Sequence, residues 1–203
     1  NKETKVSILF RKLIPHKSLT GFFGLLSRSK IKVLKNLLIK SFLYIYKPNM
    51  QECEKSEVNE FSNFEEFFTR KLLPKSRYID NSTSKEIISP VDGIIVNSGR
   101  IEGETLIQAK GINYSLKSLV QNQEIEDFFK EGWFITIYLA PSNYHRIHFP
   151  CAGEIKKTKY LKGDLNSVNL SAIRKIHSLY ARNERTLLYL ESKELNYAII
   201  NIG

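Results

Sequence analysis

The hydrophobic period changes partway along the chain, and this change limits the folds open to it. In the first stretch, from about Leu25 to Tyr46, Ile31, Leu34, Leu37, Leu38, Phe42 and Ile45 recur close to helical spacing, with Pro48 supplying a stop. Ser62-Asn63-Phe64-Glu65 has the form of a capping box and predicts a short helix from Asn63 to about Leu72, with Pro74 just past its end. From Ser89 onward the runs become short and β-type: Ile94–Val96, Thr105–Ile107, Phe134–Leu139, Thr186–Leu190 and Tyr197–Ile202, separated by Gly, Pro, Asn and Asp. One helical stretch, roughly 116 to 129, interrupts them. There is no βαβ rhythm and no internal repeat. The order predicts an α+β fold: a basic, amphipathic helical region over 1–80, then a mainly antiparallel, β-rich domain over 81–203.

Charge divides the chain in a similar way. Residues 1–50 hold 11 Lys and Arg against a single acid, Glu3, and so account for the whole formal charge of +10. Lys30, Lys32, Lys35 and Lys40 fall largely between the apolar positions of the first helix, the pattern of a basic amphipathic helix lying on an anionic membrane surface. A core-packed helix with a Lys-rich polar face fits the same residues. Nucleic-acid binding would need basic patches too, but no recognition motif accompanies these. No apolar run approaches the roughly 20 residues of a spanning helix. Residues 1–30 carry charges throughout and lack a signal-peptide h-region. Cys53 and Cys151, far apart, form neither a disulfide framework nor a zinc spacing, and a reducing compartment is the simplest reading. The chain opens without Met and closes on the apolar run Tyr197–Gly203, so further sequence is expected beyond both ends.

Three segments carry groups capable of chemistry. Pro90-Val91-Asp92-Gly93 places an acid in a turn just before a strand; taken alone, Asp92 reads as a turn former. Tyr144-His145-Arg146-Ile147-His148 sets two histidines beside an arginine between Pro141 and Pro150, and each ring could titrate near neutral pH. Structural histidines fit that spacing as well, and no third residue has the spacing of a zinc ligand. Gly163–Asn169 and Ala181–Arg185 read as loops and a solvated, salt-bridged turn.

Taken in order, the segments resemble the phosphatidylserine decarboxylase family. The matching residues are Phe67-Phe68-Thr69-Arg70, Arg77-Tyr78-Ile79-Asp80, Ser89-Pro90-Val91-Asp92-Gly93, and Gln108-Ala109-Lys110-Gly111 with Tyr114-Ser115-Leu116. They continue through Tyr138-Leu139-Ala140-Pro141 with Tyr144–Pro150, Gly163-Asp164-Leu165 with Val168-Asn169, and Arg182-Asn183-Glu184-Arg185. The likeness covers roughly residues 20 to 203.

This resemblance implies a proenzyme that cuts itself ahead of a serine, which becomes a pyruvoyl group capping a small α chain; the long upstream piece is the β chain. The chain contains no Gly-Ser pair, so it looks like most of a β chain whose pyruvoyl-forming serine lies outside it. The implied reaction converts phosphatidylserine to phosphatidylethanolamine through a Schiff base with the pyruvoyl carbonyl, which accepts the electrons left when CO2 departs. By the same resemblance Asp92 and His148 are the acid–base pair of self-cleavage, with Asp92 orienting the imidazole. His145 serves substrate binding or Cα protonation, and Tyr144 and Arg146 line the substrate. The implied partners are phosphatidylserine, the self-derived α chain and an anionic membrane surface, with homodimer assembly left open and neither metal nor nucleic acid involved. The expected location is peripheral, on an intracellular membrane. A non-catalytic lipid-binding module on the same scaffold and an unrelated His/Asp hydrolase are the competing functions.

Overall fold

A computed structural model describes residues 16–78, 87–103, 105–109, 112–193 and 195–203. The chain divides into two compact units, Asn1–Ser76 and Arg77–Gly203.

The first unit is helical. Helix α1 spans His16–Ser27 and α2 spans Lys32–Tyr46, so the periodic stretch expected from Leu25 onward is broken at residues 28–31, where Ile31 is extended. Lys47, in the left-handed region at φ 48°, and then Pro48 end α2. Helix α3 is shorter than the expected 63–72, covering Phe64–Phe68. Its start is built as the sequence suggests, one residue along: Asn63 Oδ1 accepts from Glu66 N at 2.8 Å, and Glu66 Oε2 accepts from Ser62 N at 2.6 Å. Ile39, Phe42, Phe61 and Phe67 form the core. Phe67 meets Phe42 and Phe61 edge-on, with ring centroids 5.6 and 5.3 Å apart.

Among its described residues the second unit contains three antiparallel sheets. Strand β1 (Ile94–Arg100) pairs with β4 (Trp133–Tyr138), and β2 (Thr105–Ala109) pairs with β3 (Ile112–Ser115). Strands β5 (Glu154–Leu161), β6 (Arg185–Glu191) and β7 (Tyr197–Ile202) form a three-stranded sheet in that order. The expected helix near 116–129 is two helices, α4 (Leu116–Val120) and α5 (Gln123–Phe129). Gln121 takes a left-handed conformation, and Asn122 restarts the helix by accepting from Ile125 N at 3.0 Å. Two further single turns, α6 (Leu170–Ile173) and α7 (Leu179–Arg182), precede β6. Leu119, Val120, Ile125, Leu179 and Leu187 are buried in one core that joins the helices to β6.

Two polar clasps hold that core to the C-terminal sheet. The buried Arg185 guanidinium donates to the carbonyls of Ser118, Leu119, Ala181 and Asn183 at 2.7–2.9 Å. Burial lowers its pKa from the ordinary arginine value. Asn183, fully buried, donates through Nδ2 to Asn166 O at 2.7 Å and Gly203 O at 2.6 Å. The two polar segments that read separately as loops therefore meet. Asp164 N donates to Arg182 O, Glu184 N donates to Asp164 O, and Arg182 pairs with the Asp164 carboxylate at 3.0 Å. Gly163 must be glycine here, because a Cβ would fall inside the contact distance of the 182–184 backbone.

Candidate active site

The site grows from the end of the β1–β4 ribbon. Ile94 opens β1 opposite Tyr138, which closes β4, so the turn before β1 and the loop after β4 leave the ribbon at the same end. The first carries Asp92 and the second carries Tyr144–His148. Gly93 allows the strands to approach: a Cβ there would lie 2.6 Å from Tyr138 O and 2.7 Å from Ile137 Cγ2. Beyond the ribbon, His148 N donates to Pro90 O at 2.8 Å and Ile88 N donates to Pro150 O at 3.0 Å. These two rungs run antiparallel between the segments 88–90 and 148–150, and they bring two stretches nearly sixty residues apart into one cluster.

Within the cluster the side chains form two pairs. Arg77 Nε donates to Asp92 Oδ2 at 2.8 Å, and its Nη2 lies 2.6 Å from the same oxygen. Tyr144 Oη and His148 Nε2 share a hydrogen bond at 2.9 Å, with the rings stacked at 23° and centroids 5.5 Å apart. The Tyr144 ring is buried, whereas His148 is exposed. Burial pushes the Tyr144 phenol above its ordinary range, Arg146 and Arg77 oppose this, and Asp92 adds to it. These influences place all four groups in one electrostatic neighbourhood. His145 Nδ1 lies 2.9 Å from Asn143 O; a carbonyl only accepts, so Nδ1 carries the hydrogen and Nε2 is that ring's basic nitrogen.

Of the residues expected to act, Asp92, Tyr144, His145, Arg146 and His148 come together. The expected bond from Asp92 to His148 is not among those of the described residues: Asp92 is paired with Arg77, and Tyr144 holds the imidazole. Arg77 had no role in the sequence reading, although it stands in one of the matching segments. An arginine fifteen residues before a turn carries no pairing signal of its own.

The lysines lie in the first unit. Lys30, Lys32 and Lys40 are exposed. Lys35 corrects the expectation of a lipid-facing residue: it is buried at 5% exposure, and its ammonium donates to Val58 O at 3.0 Å and Phe61 O at 2.8 Å. Its place on the helix turns it towards the core with Ile39 and Phe42, and the two carbonyls satisfy the charge. Val33, Leu37 and Tyr44 instead occupy the exposed face of α2, around Lys40. Among the described residues no helix is long and apolar enough to cross a membrane, and no cluster of His, Cys, Asp and Glu could hold a metal ion. Both cysteines are free thiols.

An α+β protein with histidines, a phenol and an ion-paired carboxylate gathered at one ribbon end belongs to the class that carries acid–base groups on loops set by a β scaffold. Comparison with known proteins narrows the class. The family model described as Phosphatidylserine decarboxylase matches residues 64–203, and a second, described as PSD, matches residues 6–47. The chain is 36% identical over 193 residues to the phosphatidylserine decarboxylase proenzyme of Psychrobacter cryohalolentis, covering 95% of this chain and 69% of that protein. It is 37% identical over 190 residues to the proenzyme of Actinobacillus pleuropneumoniae, covering 93% and 64%. With the proenzyme of Saccharophagus degradans it shares 36% identity over 197 residues, covering 97% and 68%. The chain belongs to the phosphatidylserine decarboxylase family and spans about two thirds of the length of these relatives.

Proposed function

We propose that this chain is the long chain of a self-processing decarboxylase that converts phosphatidylserine to phosphatidylethanolamine at an anionic membrane surface. The observation carrying this reading is the two-rung ladder between 88–90 and 148–150, which collects Asp92, Tyr144, His145, Arg146 and His148 at one ribbon end.

The residues fit the chemistry that a pyruvoyl group requires. When present, that group supplies the electron sink that no ordinary side chain offers to the carbon losing CO2. The chain supplies proton handling and orientation. In this reading His148, an exposed residue, takes a proton from a serine hydroxyl of the proenzyme, and Asp92 contributes negative charge to the neighbourhood where the imidazolium forms. His145, with Nδ1–H committed to Asn143 O, takes up a proton at Nε2 and, as the imidazolium, returns it to Cα after CO2 has left. Arg146, whose charge is felt at Tyr144, is the residue this reading assigns to the anionic groups of the substrate.

Membrane attachment falls to the first unit. Lys30, Lys32 and Lys40 are exposed, and α2 presents Val33, Leu37 and Tyr44 on the face that carries Lys40. Basic residues near an anionic bilayer contribute about 1 kcal/mol each, and the apolar side chains add interfacial burial.

The test uses the full-length proenzyme. Asp92→Ala and His148→Ala should block its division into two chains. His145→Ala should divide normally, yield a blocked, pyruvoyl-bearing small chain by mass spectrometry, and fail to release phosphatidylethanolamine. Normal division of the Asp92→Ala protein would overturn the assignment.

A further inference from the structure

The ribbon that delivers the site has a face left open among the described residues. Strands β1 and β4 pair there only with each other, and a lone two-stranded ribbon is marginal in water unless something packs on it. The inner face is packed, with Phe134 lying against the core of the second unit. Side chains alternate along a strand, so the neighbours of Phe134 point the other way. On that outward face the pairing sets Ile95 opposite Ile137, Ser98 opposite Ile135 and Arg100 opposite Trp133. Ile95, Ile135 and Trp133 are 63%, 64% and 76% exposed. A strand with one side in water alternates apolar and polar residues. β4 instead reads Trp-Phe-Ile-Thr-Ile-Tyr, the near-continuous apolar run of a strand covered on both faces.

We infer that this face is the seat of the stretch of polypeptide that the relatives have and these 203 residues lack. The chain spans 69% and 64% of two of those relatives, so about a third of their length lies outside it. The size of the face favours a tethered occupant. Six residues of strand run about 20 Å and two strands span about 10 Å, a footprint of about 200 Å². A second copy of the chain would need about 800 Å² on each partner for a stable dimer. A segment of the same polypeptide needs far less, because its docking costs little translational freedom and proceeds at high effective concentration. Charge disfavours the bilayer. The exposed apolar residues of α2 stand with lysines, whereas the charge on this face, that of Arg100, is paired with Glu131 at 3.2 Å. This docking follows from family membership and the chemistry of the face alone. Where the proposed reaction also holds, it brings the serine-bearing stretch to the ribbon end that carries Asp92 and His148.

The test uses full-length proenzyme, with and without phosphatidylserine vesicles. A photoreactive benzophenone amino acid at position 135 should cross-link, on irradiation, to peptides from outside residues 1–203, in a product with the mass of one protomer. The parent protein gives a second measurement that needs no variant to fold. Hydroxyl-radical oxidation of Trp133, followed by mass spectrometry, should run about tenfold slower than in urea-unfolded protein, unchanged by dilution or vesicles. Cross-links confined to residues 1–203, a product of twice the protomer mass, or lipid adducts overturn the inference. So does Trp133 oxidation within about twofold of the unfolded rate, the rate of a ring that keeps its 76% exposure. A proenzyme with the expected cross-links that neither divides nor decarboxylates keeps the docking and loses the functional reading. One that does both without them loses only the docking.

Discussion

Replacing Arg185 by Met tests whether the clasp on β6 carries the stability its geometry implies. The guanidinium is 2% exposed and serves four carbonyls. The bonds to Leu119 O and Asn183 O are buried, while those to Ala181 O and Ser118 O are partly open. An orphaned buried carbonyl costs about 1–3 kcal/mol, and a partly open one recovers much of that from water. Together the loss is about 3–6 kcal/mol. Against it stands relief from holding a cation out of water without a carboxylate partner, which returns a few kcal/mol when an apolar side chain takes its place. The net expectation is about 3 kcal/mol. Arg185→Lys keeps the charge but replaces a planar fork of five N–H donors by a single ammonium, which cannot span carbonyls from α4 and from α7 with its cap, so it should lose about 2 kcal/mol. Urea titration followed by far-UV circular dichroism and Trp133 fluorescence measures both. The reasoning fails if Arg185→Met lies within 1 kcal/mol of the parent, or if Arg185→Lys matches it.

Four further perturbations bear on other levels of the molecule. The Lys55 hydrogen bond, followed by that from Ser62 N–H, holds the Glu66 carboxyl down at about 2, below its ordinary 4.5. A depressed pKa contributes stability that is present above the unfolded value and lost as pH falls from about 4.5 towards 2; discounted for a side chain 35% exposed, the loss is about 1 kcal/mol, and Glu66→Gln should flatten acid titration of stability in that window. Gly93→Ala drives a Cβ against Tyr138 O and Ile137, and because one of these is backbone the ribbon end must shift. A loss of about 2 kcal/mol in urea titration is expected, with self-division slowed because Asp92 moves; a change below 0.5 kcal/mol would mean the close approach relaxes freely. Lys30, Lys32 and Lys40 changed together to Glu should weaken sedimentation with phosphatidylserine vesicles by at least 3 kcal/mol, roughly a hundredfold in affinity, and unchanged sedimentation would remove the lysines from the membrane contact. Lys35→Glu should instead unfold the first unit, because it points a carboxylate at two carbonyls.

What the sequence made legible followed from period and turn chemistry. β1, β2, β4, β6 and β7 stand where apolar β-type runs end in turn residues. β5 went unread because Glu154–Leu161 is rich in lysine and is half of an outer pairing, with mostly exposed side chains; its strand character comes from Ile155–Leu161 pairing with Leu190–Arg185. β3 is only four residues long and depends on pairing with β2. The stretch over 116–129 is helical in composition, but its apolar positions slip phase at the junction: Leu116, Leu119 and Val120 share one face, and Ile125, Phe128 and Phe129 would fall on the opposite face of a continuous helix. The break lies in Gln121, a residue with no strong left-handed preference, and in the Asn122 cap, whose signal is visible only once the break is known. Lys35 shows the same limit at the level of burial. Helical spacing placed it between apolar residues, but the carbonyls that make a buried ammonium tolerable belong to the turn at 58–61.

The site shows why motifs locate chemistry better than they assign it. Asp92 and His148 stand together because backbone rungs join 88–90 to 148–150, and a turn former before a strand and a Pro-bounded loop after one are features a sequence displays. Which side chain each takes as partner is decided by atoms those features do not specify. Asp92 meets Arg77, from a segment before it, and His148 meets Tyr144, four residues back in a stretch that is neither helix nor strand, so no periodic rule pairs them. The resemblance to the family implies a histidine oriented by a carboxylate; among the described residues the histidine meets a phenol, and the carboxylate beside it meets an arginine. Both arrangements put negative charge near the imidazole, but they differ in whether the group touching the ring is charged. A carboxylate in contact with the ring stabilises the imidazolium by a full charge, whereas a neutral phenol in contact does so only by its dipole, so in this chain the full negative charge acts on the ring from its neighbourhood rather than through a direct bond.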